Sequence, residues 1–370
     1  MKRKITVGIL CGGKSAEHEV SLQSAGSIIS AIDGKKYRAV IIGIDKKGHW
    51  HLFEKRKFLV NAADPERIAL GKPAGRVTLV PGAREGQGRL VFLSGGNKRR
   101  PITLDVVFPV LHGPFGEDGT VQGQLAMASI PFVGAGVFGS AAGMDKDVMK
   151  RLLRDAGIPI ADFFVFYRWA ADEISFGKVR RRLGLPLFIK PANLGSSVGI
   201  SKAATKKQFE AAVKEAFRYD DKIIVEEFID GREIECSVLG NEKPAASVPG
   251  EIIPIHEFYS YEAKYLDRQG ARLDVPAKLS ASVVRKVKKV AIATYRALGC
   301  EGMSRVDMFL RGGSEVLVNE VNTIPGFTGI SMYPKLWEAS GLAYPKLIDR
   351  LIRLALDRFR RRQRLKTTFG

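Results

Sequence analysis

Two apolar segments near the C-terminal end of the sequence carry polar residues at alternate positions. Arg305 and Asp307 lie in the first segment, and Glu320 and Asn322 lie in the second. Because successive side chains of a strand point to opposite faces, each pair is predicted to share one face. Two adjacent strands of this kind would present oxygen ligands that suit Mg²⁺. A salt-bridge ladder beside an edge strand is the alternative, but the apolar neighbours would then surround uncompensated charge.

A second pattern predicts a site for phosphate. Residues 187–190 form an apolar run that ends in Lys190, and a loop of small residues, 191–199, follows it. Backbone N–H groups in such a loop can approach phosphate closely. An ordinary flexible turn is the alternative. Lys146 opens a predicted helix, and the positive end of that helix also favours an anion.

Acidic residues at the ends of nearby predicted strands are candidates for nucleoside binding. They are Glu226, Glu227 and Glu233. Their carboxylates could accept hydrogen bonds from an adenine amino group and from ribose hydroxyls. Exposed charges at strand ends are an equally good interpretation of the pattern alone.

The alternation of apolar strands with amphipathic helices over residues 4–145 predicts an open α/β sheet. A helix predicted to start near Asp145 marks a domain boundary. A smaller region, 146–230, and a second large region, 231–370, follow. Residues 253–273 lack either periodicity, which favours a functional loop. The predicted strands are 5–11, 37–44, 105–111, 163–167, 187–190, 223–228, 233–239, 305–310 and 315–321, and the predicted helices include 21–32, 121–128 and 280–298.

One motif favours a different fold. Residues 8–15 (GILCGGKS) match the P-loop pattern G-x-x-x-x-G-K-[ST]. A P-loop requires a strand that ends before its first glycine, whereas Gly8 lies inside the apolar run. We therefore predict a strand through Cys11, followed by a Gly-Gly turn into a helix. Lys14 then has no major role in nucleotide binding.

Composition narrows the class of protein. No apolar run approaches membrane-spanning length, and the three widely spaced cysteines fit a reducing cytosol. The formal net charge of +20 is compatible with nucleic-acid binding, but no recognition motif accompanies it. The run 358–366 supplies six of the positive charges, and we expect it to be a solvated tail. The sequence thus predicts a cytoplasmic protein of several domains.

Four segments carry a family resemblance that spans almost the whole chain. They read GGKSAEHEVS at 12–21, HGPFGEDGTVQG at 112–123, YEAKY at 261–265, and GMSRVD with EVNTIPG at 302–307 and 320–326. In this order they resemble the N-terminal loop, the first signature, the mobile lid and the second signature of D-alanine–D-alanine ligases. The resemblance implies ATP-dependent ligation of two D-alanines through an acyl phosphate, for peptidoglycan synthesis.

The resemblance also implies a fold and its partners. The fold would be α/β, with α+β parts, in the three-domain ATP-grasp architecture. The domains would be 1–145, 146–230 and 231–370, with the nucleotide between the second and third and a lid at about 253–273. The implied ligands are ATP, two Mg²⁺ (or Mn²⁺) ions and two molecules of D-alanine. A cytoplasmic homodimer without nucleic-acid or membrane partners is expected.

Roles of single residues follow from the same resemblance. The nucleotide would be bound by Lys146, Lys190, Ser197, Glu226, Glu227, Glu233 and Lys264, and the metal ions by Asp307, Glu320 and Asn322. The oxyanion would be stabilised by Arg305 and the Gly326 N–H. Glu17 would bind the first D-alanine's ammonium group, with Ser196 and Tyr265 linking it to the lid. Ser331 would anchor the second carboxylate, and His112 is either near the first substrate or structural.

The acceptor is the least determined part of the reaction. Relatives that make D-alanyl-D-lactate differ around Tyr265, so this residue favours D-alanine. D-lactate, D-serine, or the substrates of another ATP-grasp carboxylate–amine ligase are the alternatives. Glu227 is a departure from the family pattern, because several relatives carry a lysine at this position, directly after the acidic residue that contacts adenine. A basic binding protein without ligase activity is the alternative from a different class.

Overall fold

A computed structural model describes residues 3–82, 84, 86–93, 100–196, 198–255 and 270–366. The first part of the chain forms a sheet in the order β8-β7-β6-β3-β2-β1-β9. Its strands are β1 (Ile5–Gly12), β2 (Tyr37–Ile44), β3 (Trp50–Phe53), β4 (Leu59–Val60), β5 (Ala69–Leu70), β6 (Gly75–Pro81), β7 (Gly88–Phe92), β8 (Ile102–Leu104) and β9 (Val106–Val110), of which β4 and β5 pair apart from the sheet. Its helices are α1 (His18–Ala31), α2 (Thr120–Met127) and α3 (Val137–Met144), with a 3₁₀ turn at Lys55–Lys57.

The central strand β1 decides between the two interpretations of the glycine motif. It pairs in parallel with β2 and β9 through Cys11, and it is almost wholly buried, as expected for a strand covered on both faces. The chain then turns at Gly12, whose φ is 87° and where a Cβ would lie 2.2 Å from the Ile44 carbonyl oxygen. The P-loop interpretation of residues 8–15 is therefore wrong.

The middle of the chain forms an antiparallel sheet in the order β10-β13-β11-β12. Its elements are α4 (Lys146–Asp155), β10 (Phe163–Tyr167), a 3₁₀ segment (Arg168–Glu173), α5 (Phe176–Leu183), β11 (Leu187–Pro191), β12 (Ser201–Ala203), α6 (Lys206–Ala216) and β13 (Lys222–Glu227). Side chains cap each helix: Asp145 caps α4, Ser175 caps α5, and Thr205 caps α6, which satisfies N–H groups that the first helical turn leaves without partners.

The last part forms a sheet in the order β17-β16-β14-β18-β19, with β15 beside β14. Its elements are β14 (Gly231–Gly240), β15 (Ala245–Ala246), β16 (Gly250–Pro254), β17 (Ala271–Asp274), α7 (Ala281–Ala297), β18 (Gly302–Arg311), β19 (Glu315–Asn322), α8 (Met332–Ala339) and α9 (Tyr344–Arg362). Helix α7 buries Val283, Val287 and Tyr295 in the core that underlies this sheet. The three main sheets follow one another along the chain, and the domain boundaries after 145 and 230 stay predictions.

The C-terminal helix α9 contradicts part of the predicted solvated tail. Its apolar face joins the core of the first sheet through residues such as Leu347 and Leu351. Arg358 is only 4% exposed, donates hydrogen bonds to the carbonyl oxygens of Phe132 (2.7 Å) and Gly134 (2.5 Å), and lies over the Phe132 ring. The first basic residue of the run thus attaches the C-terminal helix to the N-terminal part of the chain.

Two further observations concern the chain as a whole. Cys11, Cys236 and Cys300 are buried and free. In the part of the chain that the structure describes, no helix combines the length and apolar character needed to cross a bilayer.

Candidate active site

A cavity of about 840 Å³ is lined by all three parts of the chain. The N-terminal part contributes Glu17, the loop after β11 contributes Ser196, and strands β14, β18 and β19 contribute acidic and basic side chains. The lining therefore brings together residues that are far apart in the sequence. Most of the site residues predicted from the sequence line this cavity or contact a residue that lines it.

The polar pairs of β18 and β19 face each other as predicted. Asp307 is opposite Glu320, and Arg305 is opposite Asn322. Arg305 donates from Nε and Nη2 to the two oxygens of Asp307 at 2.7 and 2.6 Å, and Asn322 Nδ2 donates to Asp307 Oδ2 at 2.9 Å. The register shifts between Asp307 and Met308, an irregularity of the kind that re-aims side chains beside active sites.

This strand pair also fits a divalent cation. Two carboxylates and one amide lie on adjacent strands at the edge of the cavity. Hard oxygen donors in this number leave room for phosphate oxygens and water, which is how Mg²⁺ is usually held. The donor set of Asp307, Glu320 and Asn322 is therefore suited to a metal that binds together with a phosphorylated substrate.

Two lysines approach the same strands from the middle part of the chain. Lys146 Nζ lies 3.6 Å from Glu320 Oε2 and donates to the Leu194 carbonyl oxygen at 2.6 Å. Lys190 Nζ lies 3.4 Å from Asn319 Oδ1 on β19. Both lysines are nearly buried, so their positive charges are concentrated at one end of the cavity.

Glu226 lies behind these lysines and is wholly enclosed. Lys190 donates to Glu226 Oε2 at 2.7 Å, and Lys150 Nζ lies 3.2 Å from Oε1. Burial acts to raise the pKa of Glu226, but the two ammonium groups outweigh it and hold the pKa at about 2. Burial lowers the pKa of Lys150, against the attraction of Glu226. Two lysines thus share one buried carboxylate behind the strand pair.

At the other end of the cavity, Glu17 precedes helix α1 and is 8% exposed. Ser196 Oγ donates a hydrogen bond to Glu17 Oε1, which connects the loop after β11 to the N-terminal part. Ser196 has a φ of 52°, a left-handed conformation uncommon for serine. Gly113 and Gly195 both lie close to the Glu17 carboxylate. A Cβ atom added at either glycine would be within 3.3 Å of Glu17 Oε2.

His112 and Glu117 form a buried layer beneath Glu17. His112 Nδ1 donates to the Ile324 carbonyl oxygen at 2.9 Å, and Ser24 Oγ lies 3.4 Å from its Nε2. Burial lowers the pKa of His112, so the ring is neutral near pH 7. Glu117 accepts hydrogen bonds from the N–H groups of Gly113 (2.9 Å) and Ile324 (3.0 Å). Burial, reinforced by the charge of Glu17, raises the pKa of Glu117 to about 8.

The remaining predicted residues divide into three groups. Gly326 and Ser331 line the cavity together, and a Cβ added at Gly326 would lie 2.7 Å from Ser331 Oγ. Glu233 also lines the cavity, whereas Glu227 does not; its Oε1 accepts from the Asp162 N–H at 2.8 Å. Three residues, together with 256–269 of the predicted lid, lie outside the described residues: Ser197, Lys264 and Tyr265.

Comparison with known proteins identifies the family. The family model for the D-ala D-ala ligase N-terminus matches residues 6–135, and that for the D-ala D-ala ligase C-terminus matches residues 152–353. This chain belongs to the D-alanine–D-alanine ligase family. The resemblance seen in the sequence is thereby confirmed.

Individual ligases are similar over their whole length. The D-alanine–D-alanine ligase of Oceanobacillus iheyensis is 53% identical over 368 residues, which is 100% of this chain and 99% of that protein. D-alanine–D-alanine ligase A of Escherichia coli is 53% identical over 365 residues, 99% of each chain. The alignments cover all or nearly all of this chain.

Solved structures of the family share the fold. The D-alanine–D-alanine ligase of Coxiella burnetii has a TM-score of 0.83 and 40% identity, covering 97% of this chain and 96% of that one. The VanG D-Ala:D-Ser ligase of Enterococcus faecalis has a TM-score of 0.82 and 37% identity, covering 95% and 100%. The predicted α/β fold of the ATP-grasp type is confirmed.

Three buried residues of this ligase-family site were not predicted from the sequence. Glu117 belongs to the first signature segment, but its contact with Ile324 spans 207 positions. Lys150 lies one helical turn after Lys146, a spacing that places both on one face of α4. Glu235 is opposite Asp307 on β14, and its Oε2 is 3.0 Å from Arg305 Nε. The i, i+4 lysine pair was the signal that could have revealed Lys150.

Proposed function

We propose that this chain joins two D-alanines into D-alanyl-D-alanine, converting ATP to ADP and phosphate, for peptidoglycan synthesis. The γ-phosphoryl group of ATP is transferred to a carboxylate oxygen of the first D-alanine. The amine of the second D-alanine then attacks the carbonyl carbon, the C–N bond forms, and phosphate leaves with that oxygen. The arrangement of Arg305, Asp307, Glu320 and Asn322 on one edge of the cavity, in a chain of this family, carries the proposal.

The nucleotide end is assigned to the lysine side of the cavity. Lys146 and Lys190 contact the α and β phosphates, and their positions beside Glu320 and Asn319 of β19 support this assignment. Glu226, Glu227 and Glu233 are assigned to the nucleoside. Of these, Glu226 acts through Lys190, since both of its oxygens already face lysines. Ser197 and Lys264 are also assigned to the nucleotide, as the sequence predicted.

Two Mg²⁺ or Mn²⁺ ions are assigned to Asp307, Glu320 and Asn322. When bound there, such ions neutralise charge on the phosphoryl group during its transfer. Arg305 holds Asp307 in place by two hydrogen bonds. Its guanidinium, together with the Gly326 N–H, also stabilises the oxyanion that forms when the amine attacks, a role whose loss typically lowers the rate by ~10²–10³.

The substrate end is assigned to the Glu17 side. The Glu17 carboxylate binds the ammonium group of the first D-alanine, while Ser196 and Tyr265 link Glu17 to the lid, which excludes water from the acyl phosphate. Ser331 anchors the carboxylate of the second D-alanine. Neutral His112 keeps Ile324 in position through its hydrogen bond to the carbonyl oxygen.

The decisive experiment is an assay of phosphate release. The protein is incubated with ATP and Mg²⁺ and with D-alanine, L-alanine or no amino acid, and the dipeptide is measured in parallel. Turnover with D-alanine alone, abolished in Glu320→Gln, is the expected result. Turnover with another amino acid would leave an ATP-grasp ligase with a different substrate. Absence of turnover in folded, ATP-binding protein would favour a binding protein without ligase activity.

D-serine or D-lactate is the second candidate acceptor. The similarity to the structure of a D-Ala:D-Ser ligase favours testing it. Equimolar D-alanine and D-serine, or D-alanine and D-lactate, would be supplied at neutral pH, and the products separated by mass. A dominant mixed product would replace D-alanine as the acceptor. We also propose a cytoplasmic homodimer of three-domain chains, for which sedimentation equilibrium gives the mass in solution.

A further inference from the structure

A second cluster of potential metal ligands lies outside the cavity, where β2 turns into β3. It consists of Asp45, His49 and His51, whose ligand atoms all lie within 4.8 Å of one another. Asp45 follows β2, and the two histidines are two residues apart, on either side of the first residue of β3. The family reaction uses none of these side chains, so the cluster needs an explanation of its own.

The turn holds the Asp45 carboxylate in a fixed position. Its Oδ1 accepts the backbone N–H groups of Lys47 (2.8 Å) and His49 (2.9 Å). The Asp45 N–H in turn donates to the His49 carbonyl oxygen at 3.0 Å. Because Oδ1 is occupied by the turn, Oδ2 remains directed at the two imidazoles.

Two of the three separations between the ligand atoms match those of a transition-metal site. Asp45 Oδ2 lies 3.3 Å from His49 Nδ1 and 3.1 Å from His51 Nε2. Two ligands of a tetrahedral ion with bonds of about 2.0–2.1 Å are separated by about 3.3 Å. Since all three ligand atoms lie within 4.8 Å of one another, one ion could be bound by all three after the imidazoles adjust.

The surroundings allow an ion to enter. The side chains of Asp45, His49 and His51 are 33%, 41% and 20% exposed, which leaves water to complete the coordination. The positive charge of Lys46 in the same turn is balanced by Glu19, whose Oε1 lies 2.6 Å from Lys46 Nζ. Imidazole nitrogens with one carboxylate suit Zn²⁺, whereas Mg²⁺ prefers oxygen ligands alone.

We propose that Asp45, His49 and His51 form a second metal site, separate from Asp307, Glu320 and Asn322, that binds a borderline divalent ion such as Zn²⁺. The ion replaces the hydrogen bonds between the carboxylate and the imidazoles and binds to neutral ring nitrogens, so binding releases any proton carried there. It clamps the start of β3 to the end of β2. Binding to the folded state alone also stabilises the protein.

The test is titration of the full chain with Zn²⁺ in excess Mg²⁺, which keeps the oxygen site supplied with its own ion. Isothermal titration calorimetry is compared for wild type, Asp45→Asn and His51→Gln. The asparagine substitution is chosen because an amide oxygen still accepts the two N–H groups of the turn. Asp33→Asn is the matched control, since Asp33 also accepts a backbone N–H, that of Lys35, at 2.9 Å and is not part of this cluster.

We expect one equivalent of Zn²⁺ to bind to wild type and to Asp33→Asn. Loss of an outer-shell partner alone weakens metal binding about 10–100-fold, so loss of a ligand should weaken it at least tenfold in Asp45→Asn and His51→Gln. The thermal midpoint should rise with Zn²⁺ only in the proteins that keep the site. Cobalt substitution gives an independent readout in wild type through visible absorption of tetrahedral Co²⁺.

Two results would overturn the proposal. If both ligand variants bind Zn²⁺ as tightly as wild type, the ion binds elsewhere. If wild type binds no Zn²⁺ at millimolar concentration, the three side chains are a hydrogen-bonded turn and no more.

Discussion

Glu117, which lines the cavity, and Glu226, which lies behind the lysines, are both buried carboxyl groups, but their surroundings have opposite effects on the pKa. Glu117 accepts two backbone N–H groups but lies near the charge of Glu17, and its pKa is raised to about 8. Glu226 lies between Lys150 and Lys190, and its pKa is held at about 2. Burial penalises the charged form of both residues.

Burial acts to raise the pKa of both carboxyl groups, and the neighbouring charges decide whether burial prevails, as in Glu117, or is outweighed, as in Glu226. At the lysine end, the ionised Glu226 holds Lys190, which is assigned to the phosphates of ATP. At the other end, Glu117 is mainly neutral near pH 7, beneath the Glu17 carboxylate that is assigned to the substrate ammonium. The two ends of the cavity are matched to the two kinds of substrate that the proposed reaction requires.

The greatest loss of stability should come from a change at the lysine end. Glu226→Gln leaves Lys150 and Lys190 buried without their counter-charge, and removing one partner of a buried ion pair costs about 3–5 kcal/mol. Urea unfolding near pH 7 measures the loss. Glu315→Gln is the control, because its partner Arg311 is exposed on the surface and such pairs contribute about 0–1 kcal/mol. Equal urea midpoints for Glu226→Gln and Glu315→Gln would mean that the Glu226 carboxylate does not stabilise the protein through its buried lysines.

A smaller effect is expected from Glu117→Gln. The carboxyl group is mainly protonated at pH 7, so its replacement removes little charge. The amide NH₂ would face one of two backbone donors, at a cost of about 1–2 kcal/mol for the hydrogen bond lost. The same urea experiment should rank this variant clearly above Glu226→Gln in stability. The reverse order would mean that the charges are assigned wrongly.

The pH dependence of stability should differ in sign between the two residues. Glu117 has a folded pKa of about 8 against an ordinary value of 4.5, so the folded state binds more protons between these values. Its contribution is fully present below pH 4.5 and is lost as the pH rises to 8. Glu226 has the lowered pKa, and its contribution is lost as the pH falls from 4.5 through 2.

Unfolding free energies of wild type and Glu117→Gln, measured from pH 5 to 9, check this sign. Stability of wild type relative to the variant should decline as the pH rises and become constant above about pH 8. A stability difference that does not change over this interval would mean that Glu117 is already ionised in the folded protein at neutral pH.

Almost no effect is expected at the glycine turn. Lys14 is exposed and lies over the Phe115 ring, 5.5 Å from its centroid, and residues 9–11 are paired within the sheet. Lys14→Ala should therefore leave ATP affinity within about twofold of wild type. Lys190→Ala is the contrasting variant, because Lys190 is assigned to the phosphates of ATP. Fluorescence titration with ATP compares the affinities of the two variants. A collapse of affinity in Lys14→Ala would move the phosphate site to the other end of the cavity.

Regular elements were predictable from the sequence because local pattern determines them. The strands predicted at 37–44 and 163–167 match β2 and β10 to the residue. The polar faces of β18 and β19 followed from strand periodicity alone. The loop residues of the site required the family resemblance, since no local pattern specifies what a loop will contact.

The contacts of Arg358 were not predictable, because its partners are distant in sequence. Arg358 contacts Phe132 and Gly134 across more than 220 positions, so composition alone suggested a solvated tail. The register shift after Asp307 has no signature in an alternating strand sequence. Long-range packing determines both features.

The most direct test of the proposed reaction follows oxygen atoms. D-alanine labelled with ¹⁸O in its carboxylate is incubated with the protein, ATP and Mg²⁺, and the released phosphate is analysed by mass spectrometry. Transfer through an acyl phosphate predicts one ¹⁸O atom in each phosphate formed together with D-alanyl-D-alanine, and none in Glu320→Gln, which forms no dipeptide. Phosphate released without ¹⁸O would mean that ATP is cleaved by water, which contradicts a ligase that activates the D-alanine carboxylate.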